Sequence, residues 1–180
     1  CEDCKFIFNS IRPKWQEMLE LYSSSLNASG QVFRDIEPNS YYPNLHRKRA
    51  HFFKSVSNIP EQSSILDVGC GNGDFLYALQ ETFNFATLMG IDPSKRAVLN
   101  CTDRGLNVTN GFLHETNYSD FKFDAISLIS VLEHVYEPLK MLKSCYSNLN
   151  DNGLLFIEVP NALKPEISLS GFFNLEHVLH

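Results

Sequence analysis

One short segment constrains this chain more than any other. It runs from Leu66 to Asp74, reads LDVGCGNGD, and places a glycine at every second position after an apolar run. Phe75, Leu76 and Leu79 follow at helical spacing, so the pattern predicts a strand, a tight turn and a helix. Because glycine lacks a Cβ and tolerates positive φ, a ligand can lie against this backbone, with N–H groups of the helix facing its anionic end. A tight turn without a ligand is the alternative.

Nicotinamide cofactors also bind a glycine-rich turn after a first strand. Their fingerprint is G-x-G-x-x-G, whereas Gly69, Gly71 and Gly73 form G-x-G-x-G. Counted from Gly71, the position of the last fingerprint glycine is taken by Leu76. The spacing therefore argues against a dinucleotide, and a nicotinamide-dependent oxidoreductase is kept only as a rival interpretation.

An acidic residue follows the second predicted strand. Asp92 lies roughly 20 positions beyond the glycine turn, where a carboxylate can accept hydrogen bonds from ribose hydroxyls. It could instead be the N-cap of the next helix, with Pro93 at the first helical position. Together with the glycine turn, Asp92 favours a ligand of the adenosine type.

Strand and helix patterns alternate along the rest of the chain. Strands are predicted at 65–68, 86–92, 106–109, 123–130 and 154–159, and helices at 94–104 and 137–149, the latter ending at Asn152-Gly153. Strands of this kind, buried on both faces and alternating with helices, imply a parallel sheet covered by helices. We divide the chain into residues 1–10, a helical N-terminal cap at 11–60 and a core at 61–180.

Composition and charge exclude several classes of protein. The 180 residues are 43% apolar, enough for one core, and carry 15 Lys plus Arg against 21 Asp plus Glu, a net charge of −6. We therefore expect no nucleic acid partner. No apolar run approaches the roughly 20 residues that span a bilayer and no signal peptide is seen, so we expect a cytoplasmic protein without a membrane partner. The ends at Cys1 and His180 suggest a fragment.

These motifs resemble those of class I S-adenosylmethionine-dependent methyltransferases, from about Leu45 to His180. Residues 66–73 are similar to the family's first motif and 90–93 to its second, while 123–126, 131–135 and 150–155 resemble the segments around its fourth and fifth strands. The resemblance implies a Rossmann-like α/β fold of mostly parallel strands, S-adenosyl-L-methionine as cofactor, and methyl transfer to a small molecule. It also implies seven strands in the complete fold, of which the last ones are missing from this chain.

Two further segments resemble a subgroup that modifies small molecules, including C-methyltransferases of nucleotide-linked sugars. They are Val159-Pro160-Asn161 and Glu176-His177. Members of this subgroup often begin with a cysteine-rich zinc module, of which Cys1 and Cys4 would be a remnant. One cysteine pair cannot complete a tetrahedral site, so zinc is expected only in a longer chain.

Position by position, the resemblance implies a set of cofactor-binding residues. The methionine moiety would lie against the glycine turn, the ribose on Asp92, and the adenine across the end of the second strand, meeting backbone groups after the third. The set comprises Asp67, Gly69, Cys70, Gly71, Gly73, Ile91, Asp92, Pro93, Phe112 and Leu113.

Glu133 and His134 are the candidates for proton handling. They follow the fourth strand, at the carboxyl edge where open α/β sheets bind ligands. Imidazole titrates near neutral pH, so His134 can act as a base or a hydrogen-bond donor. The alternative is that the two side chains only order this loop. Glu176 and His177 are expected to contact the substrate, and a catalytically inactive cofactor-binding scaffold is the rival from another class of function.

Overall fold

The computed structural model describes residues 41–161 except 86, 115–117, 119 and 120, together with residues 14, 16, 17 and 20. The predictions for Cys1, Cys4, Glu176 and His177, and for most of the N-terminal cap, lie outside these residues. The elements in chain order are α1 (Tyr41–Ser57), β1 (Ser64–Val68), α2 (Asp74–Thr82), β2 (Thr87–Asp92), α3 (Lys95–Asp103), β3 (Val108–Asn110), β4 (Phe123–Ile129), α4 (Pro138–Asn148) and β5 (Leu149–Glu158).

The strands form one sheet in the order β3-β2-β1-β4-β5, and all its pairs are parallel. The predicted parallel α/β fold is therefore confirmed. The chain lays β2 and β3 on one side of β1, then crosses to lay β4 and β5 on the other. This reversal of direction falls between β1 and β4, where the carboxyl ends of the strands leave a crevice for a ligand.

The core lies on both faces of the sheet. Every residue of β1 is buried, as expected for a central strand covered by helices on both sides. One face packs around Leu66, Ile126 and Leu128, the other around Ile65 and Phe75. This double burial explains why β1 and β4 are mostly apolar on both faces, with Asp67 and Ser127 as buried polar exceptions.

Aromatic rings join α1 to the sheet. Phe53 is fully buried and makes edge contacts with Phe75 of α2 and Phe156 of β5, at centroid distances of 6.0 and 5.3 Å. Edge-to-face pairs at this spacing add to the energy of area burial. Helix α1 is thereby held across α2 and β5, close to the carboxyl edge of the sheet.

The fifth strand begins before its predicted start at residue 154. Helix α4 ends at Asn148, and β5 begins at Leu149, which pairs with Phe123. The next pair joins Leu154 to Ala125, so the residues between them in β5 are extra at this register shift. Asn152 adopts a φ of 62° inside the strand. The Asn-Gly pair therefore lies in a bulge at the edge of the described sheet. At an edge a bulge interrupts hydrogen bonds to only one neighbouring strand.

The cysteines of the described part are free and buried. They are Cys70, Cys101 and Cys145, as expected for core residues. None of the helices in this part is long and apolar enough to cross a membrane.

Candidate active site

The glycine turn has left-handed backbone at all three glycines. The φ angles of Gly69, Gly71 and Gly73 are 68°, 53° and 76°. A Cβ on Gly69 would lie 2.5 Å from Val131 Cγ2, and one on Gly73 would overlap Leu106. A Cβ on Gly71 would meet no heavy atom of the described residues within 4 Å. The outer glycines are therefore needed for packing, whereas the middle one presents bare backbone to open space.

Asp92 ties the glycine turn to the end of β2. Its Oδ2 accepts a hydrogen bond from the Gly71 N–H at 2.9 Å, and its Oδ1 accepts one from the Ser94 N–H at 2.8 Å. The Ser94 hydroxyl caps α3 by accepting from the Ala97 N–H, so the alternative that Asp92 is the N-cap is wrong. Burial raises the pKa of Asp92, and the two N–H donors oppose that rise. Each carboxylate oxygen keeps a second lone pair, enough to accept a pair of hydroxyls.

Asp67 is the second-last residue of β1, and its side chain is buried. The Ser127 hydroxyl of the neighbouring strand donates to its Oδ1 at 2.6 Å, and the two residues are register partners. Burial raises the pKa of Asp67 to about 7, against the lowering effect of the Ser127 bond and of Arg49. The carboxyl is therefore poised to change charge when a cation arrives.

Glu133 and His134 occupy the turn that follows β4. The His134 N–H donates to the Val131 carbonyl at 2.9 Å, and Val131 itself lies against Gly69, so the turn is anchored beside the glycine turn. Both Glu133 oxygens are buried, and no other described residue donates a hydrogen bond to them. His134 Nε2 is 3.9 Å from Glu133 Oε1, beyond hydrogen-bond length. Burial raises the pKa of Glu133 to about 7, against the lowering effect of its own backbone N–H and with a smaller rise from the charge of Glu158.

Helix α1 places the basic side chains of Arg49 and His46 next to the end of β5. Arg49 makes two bonds to the carboxylate of Glu158 at the end of β5, one of them from Nε to Oε2 at 3.0 Å. Burial and then the charge of Arg49 lower the pKa of His46, one turn earlier on the helix, to about 4. Of the cations in the described part, Arg49 is the one whose charge lowers the pKa of Asp67.

The predicted adenine end lies at the termini of β2 and β3. The side chains of Ile91 and Leu113 are buried in the core, so Pro93 and Phe112, which are half-buried, form the accessible part of the predicted set. The Gly111 N–H donates to the Asp92 carbonyl at 3.0 Å and fixes the loop after β3 against β2. Contact of these residues with an adenine stays a prediction.

The structure brings most predicted site residues to one edge of the sheet. Asp67, the glycine turn, Asp92 and the Glu133–His134 pair all lie at the carboxyl ends of β1, β2 and β4. Sequence reasoning missed Ser127, Glu158 and the pairing of Arg49 with Glu158. Ser127 had a signal, because it is a polar residue within the apolar run of β4. The pairing of Arg49 with Glu158 had none, since 109 positions separate them.

The described residues fit a cationic adenosyl cofactor. Gly71 offers open backbone, Asp92 offers acceptors for a diol, and Asp67 and Glu133 offer buried carboxyls that a positive charge would stabilise. No group of three or more side chains in the described part is arranged to hold a metal ion. The predicted zinc residues Cys1 and Cys4 lie outside it.

A parallel sheet with this strand order, a glycine turn after β1 and an acid after β2 defines a nucleotide-binding type of α/β protein, to which class I S-adenosylmethionine-dependent methyltransferases belong. A family model described as a methyltransferase domain matches residues 39–173. The chain belongs to this methyltransferase-domain family.

Curated relatives and solved structures agree with this assignment. The chain is 31% identical over 140 residues to the ubiquinone biosynthesis O-methyltransferase of Histophilus somni, covering 69% of this chain and 58% of that protein. It is 32% identical over 115 residues to the tRNA U34 carboxymethyltransferase of Campylobacter jejuni, covering 60% of this chain and 39% of that one. The chain thus spans 58% of the length of the first relative and 39% of the length of the second.

Among solved structures, the fold matches that of S-adenosylmethionine-bound CalS10, an amino pentose methyltransferase from Micromonospora echinaspora. The TM-score is 0.59 at 18% identity, over 72% of this chain and 56% of that one. At this identity the likeness shows the fold.

Proposed function

We propose that this chain binds S-adenosyl-L-methionine and belongs to an enzyme that transfers its methyl group to a small-molecule acceptor, with a nucleotide-linked sugar as the leading candidate. The observation that carries the proposal is the open face of Gly71, whose N–H is held by a buried acid able to accept a ribose diol. Bound there, the cofactor supplies a methyl group on a positively charged sulfur, and the electron pair of the S–CH3 bond stays with the sulfur.

The chain's own residues then have three tasks. Asp92 holds the ribose, and the glycine turn together with Asp67 holds the methionine part. The turn at 131–134 faces the same edge and borders the acceptor. Since the leaving group is already activated, positioning the acceptor and excluding water account for much of the rate.

Glu133 and His134 are the proposed proton-handling pair. A group whose pKa lies near neutral pH can both take and return a proton, which is the condition for effective general base catalysis. Glu176 and His177 are proposed to orient the acceptor. The alternative role of Glu133 and His134, ordering the loop, is compatible with the His134 N–H bond to Val131.

The class of acceptor is supported in two ways. The names of similar proteins include an O-methyltransferase of ubiquinone biosynthesis and an amino pentose methyltransferase, both consistent with a small molecule. A relative that modifies tRNA is also similar, but the net charge of −6 disfavours a polyanion. The proposal excludes nucleic acid on this ground.

Calorimetry with S-adenosylhomocysteine and NADH tests the proposed cofactor. We expect the first compound to bind and the second not to bind. Binding of NADH alone would establish the oxidoreductase alternative. Binding of S-adenosylhomocysteine without methyl transfer to any acceptor, in a chain that includes the whole domain, would establish the inactive scaffold.

A further inference from the structure

Glu133 is a buried carboxyl group whose oxygens lack a hydrogen-bond donor from any other described residue. Its side chain is 12% exposed, and its own backbone N–H is the donor that opposes the effect of burial on its pKa. Buried polar groups are normally paired, and an unpaired one in a functional cleft requires an explanation. A ligand with N–H or O–H donors is the simplest partner for two such oxygens.

The neighbouring charges leave Glu133 in need of a cation. The charge of Glu158 raises the pKa of Glu133, and Glu158 itself is held by Arg49 through two bonds. His134 Nε2 lies 3.9 Å from Glu133 Oε1, which is beyond hydrogen-bond length and forms an ion pair only when the imidazole is protonated. A neutral donor would satisfy the oxygens but leave the charge unmatched, whereas a protonated amine would satisfy both.

We propose that the acceptor is an amine, bound as its ammonium form by the Glu133 carboxylate, which then takes its proton. In this step an N–H bond of the ammonium breaks, an O–H bond forms on Glu133, and the nitrogen keeps the electron pair with which it attacks the methyl group. The proton on Glu133 then passes to water. The inference rests on the proposed methyl transfer and specifies which acceptor atom receives the methyl group.

The acidity of the two kinds of acceptor supports an amine over an alcohol. Alkyl ammonium groups titrate at about 8 to 10, within reach of a carboxylate whose pKa is about 7. An aliphatic hydroxyl resembles water, whose pKa is about 15.7, and does not yield its proton to such a group before attack. Glu133 therefore suits proton removal from nitrogen better than from an alcohol oxygen.

The experiment compares matched amine and alcohol probes on the protein saturated with S-adenosylhomocysteine. Two pairs are used, UDP-glucosamine with UDP-glucose and cyclohexylamine with cyclohexanol, and binding is measured by calorimetry or ligand-observed NMR. The variant Glu133→Gln removes the charge while keeping the shape. The control Glu137→Gln removes an exposed acid four residues away, whose partner is Lys140 on the surface.

We expect at least one amine to bind tenfold or more tightly than its alcohol in the wild type and in E137Q, and this preference to disappear in E133Q. Equal affinity within both pairs, a preference that E133Q retains, or no binding of either amine at millimolar concentration would each overturn the proposal. If E133Q weakens S-adenosylhomocysteine itself as strongly as the amine, Glu133 serves the cofactor and the proposal is also wrong. Failure of S-adenosylhomocysteine to bind the wild type would instead refute the proposed function.

Discussion

The open face of Gly71 permits a sharp test of where the cofactor lies. Gly71 and Gly105 both have room for an added Cβ, unlike Gly69 and Gly73, which also have positive φ. A Cβ on either would meet no heavy atom of the described chain within 4 Å, and their φ angles are +53° and +73°. Substitution by alanine therefore costs only the left-handed strain, about 1–2 kcal/mol in each case. Gly71 lies in the proposed site, and Gly105 lies after α3, outside it.

The two variants should unfold alike and bind differently. For a chain of this size, the strain corresponds to a fall of roughly 2–8 °C in Tm for both Gly71→Ala and Gly105→Ala. In Gly71→Ala the added methyl group occupies the space that the cofactor needs. If the displaced cofactor loses two hydrogen bonds, affinity falls by about 1–3 kcal/mol, or roughly 5- to 150-fold. Gly105→Ala should bind as the wild type does.

Differential scanning fluorimetry measures the fall in Tm, and calorimetry with S-adenosylhomocysteine measures the fall in affinity. Gly73→Ala serves as the opposite control, because its Cβ would overlap Leu106 and lie 2.9 Å from Cys101 Sγ. That variant should lose stability well beyond the strain term. If Gly71→Ala binds as tightly as Gly105→Ala, no ligand lies against this turn and the reasoning is refuted.

Three other predictions follow from the polar groups at the same edge. Asp92→Ala should weaken S-adenosylhomocysteine binding in calorimetry by about 1.5–3 kcal/mol, since a charge-assisted bond is lost; unchanged affinity would remove Asp92 from the site. Arg49→Met should lower the free energy of unfolding by about 1–2 kcal/mol in urea titrations, because Glu158 on β5 loses its partner. Arg47→Met on the same helix should lower it by about 0–1 kcal/mol, since that ion pair is exposed. Equal losses in the two variants would contradict this. The pKa values of Asp67 and Glu133 are raised to about 7, whereas that of His46 is lowered to about 4 and acts in the opposite direction. Because the two carboxyls outweigh the one imidazole, the ligand-free protein should lose stability as pH rises from about 4 through 7. A Tm that is flat or rises over that range would show that these carboxyls are not buried as described.

The sequence predicts the strands and the glycine turn because their signals are local. An apolar run, three alternating glycines and an acid after the next strand lie within about 30 residues, and each has a direct backbone consequence. The start of the fifth strand was missed for the opposite reason. An Asn-Gly pair is an ordinary turn signal, but pairing of Leu149 with Phe123 keeps the chain in the sheet, and no local pattern reveals that long-range contact.

The charge balance of the site was beyond the reach of the sequence. It depends on Arg49 being held by Glu158, and this pairing needs α1 to pack across the carboxyl edge through the ring of Phe53. With Arg49 bound to Glu158, His134 is the basic group of the described part within ion-pair distance of Glu133, and it pairs only when protonated. The motifs thus define the cofactor half of the site, whereas our proposal for the acceptor depends on the surroundings of Glu133, which only the folded chain brings together.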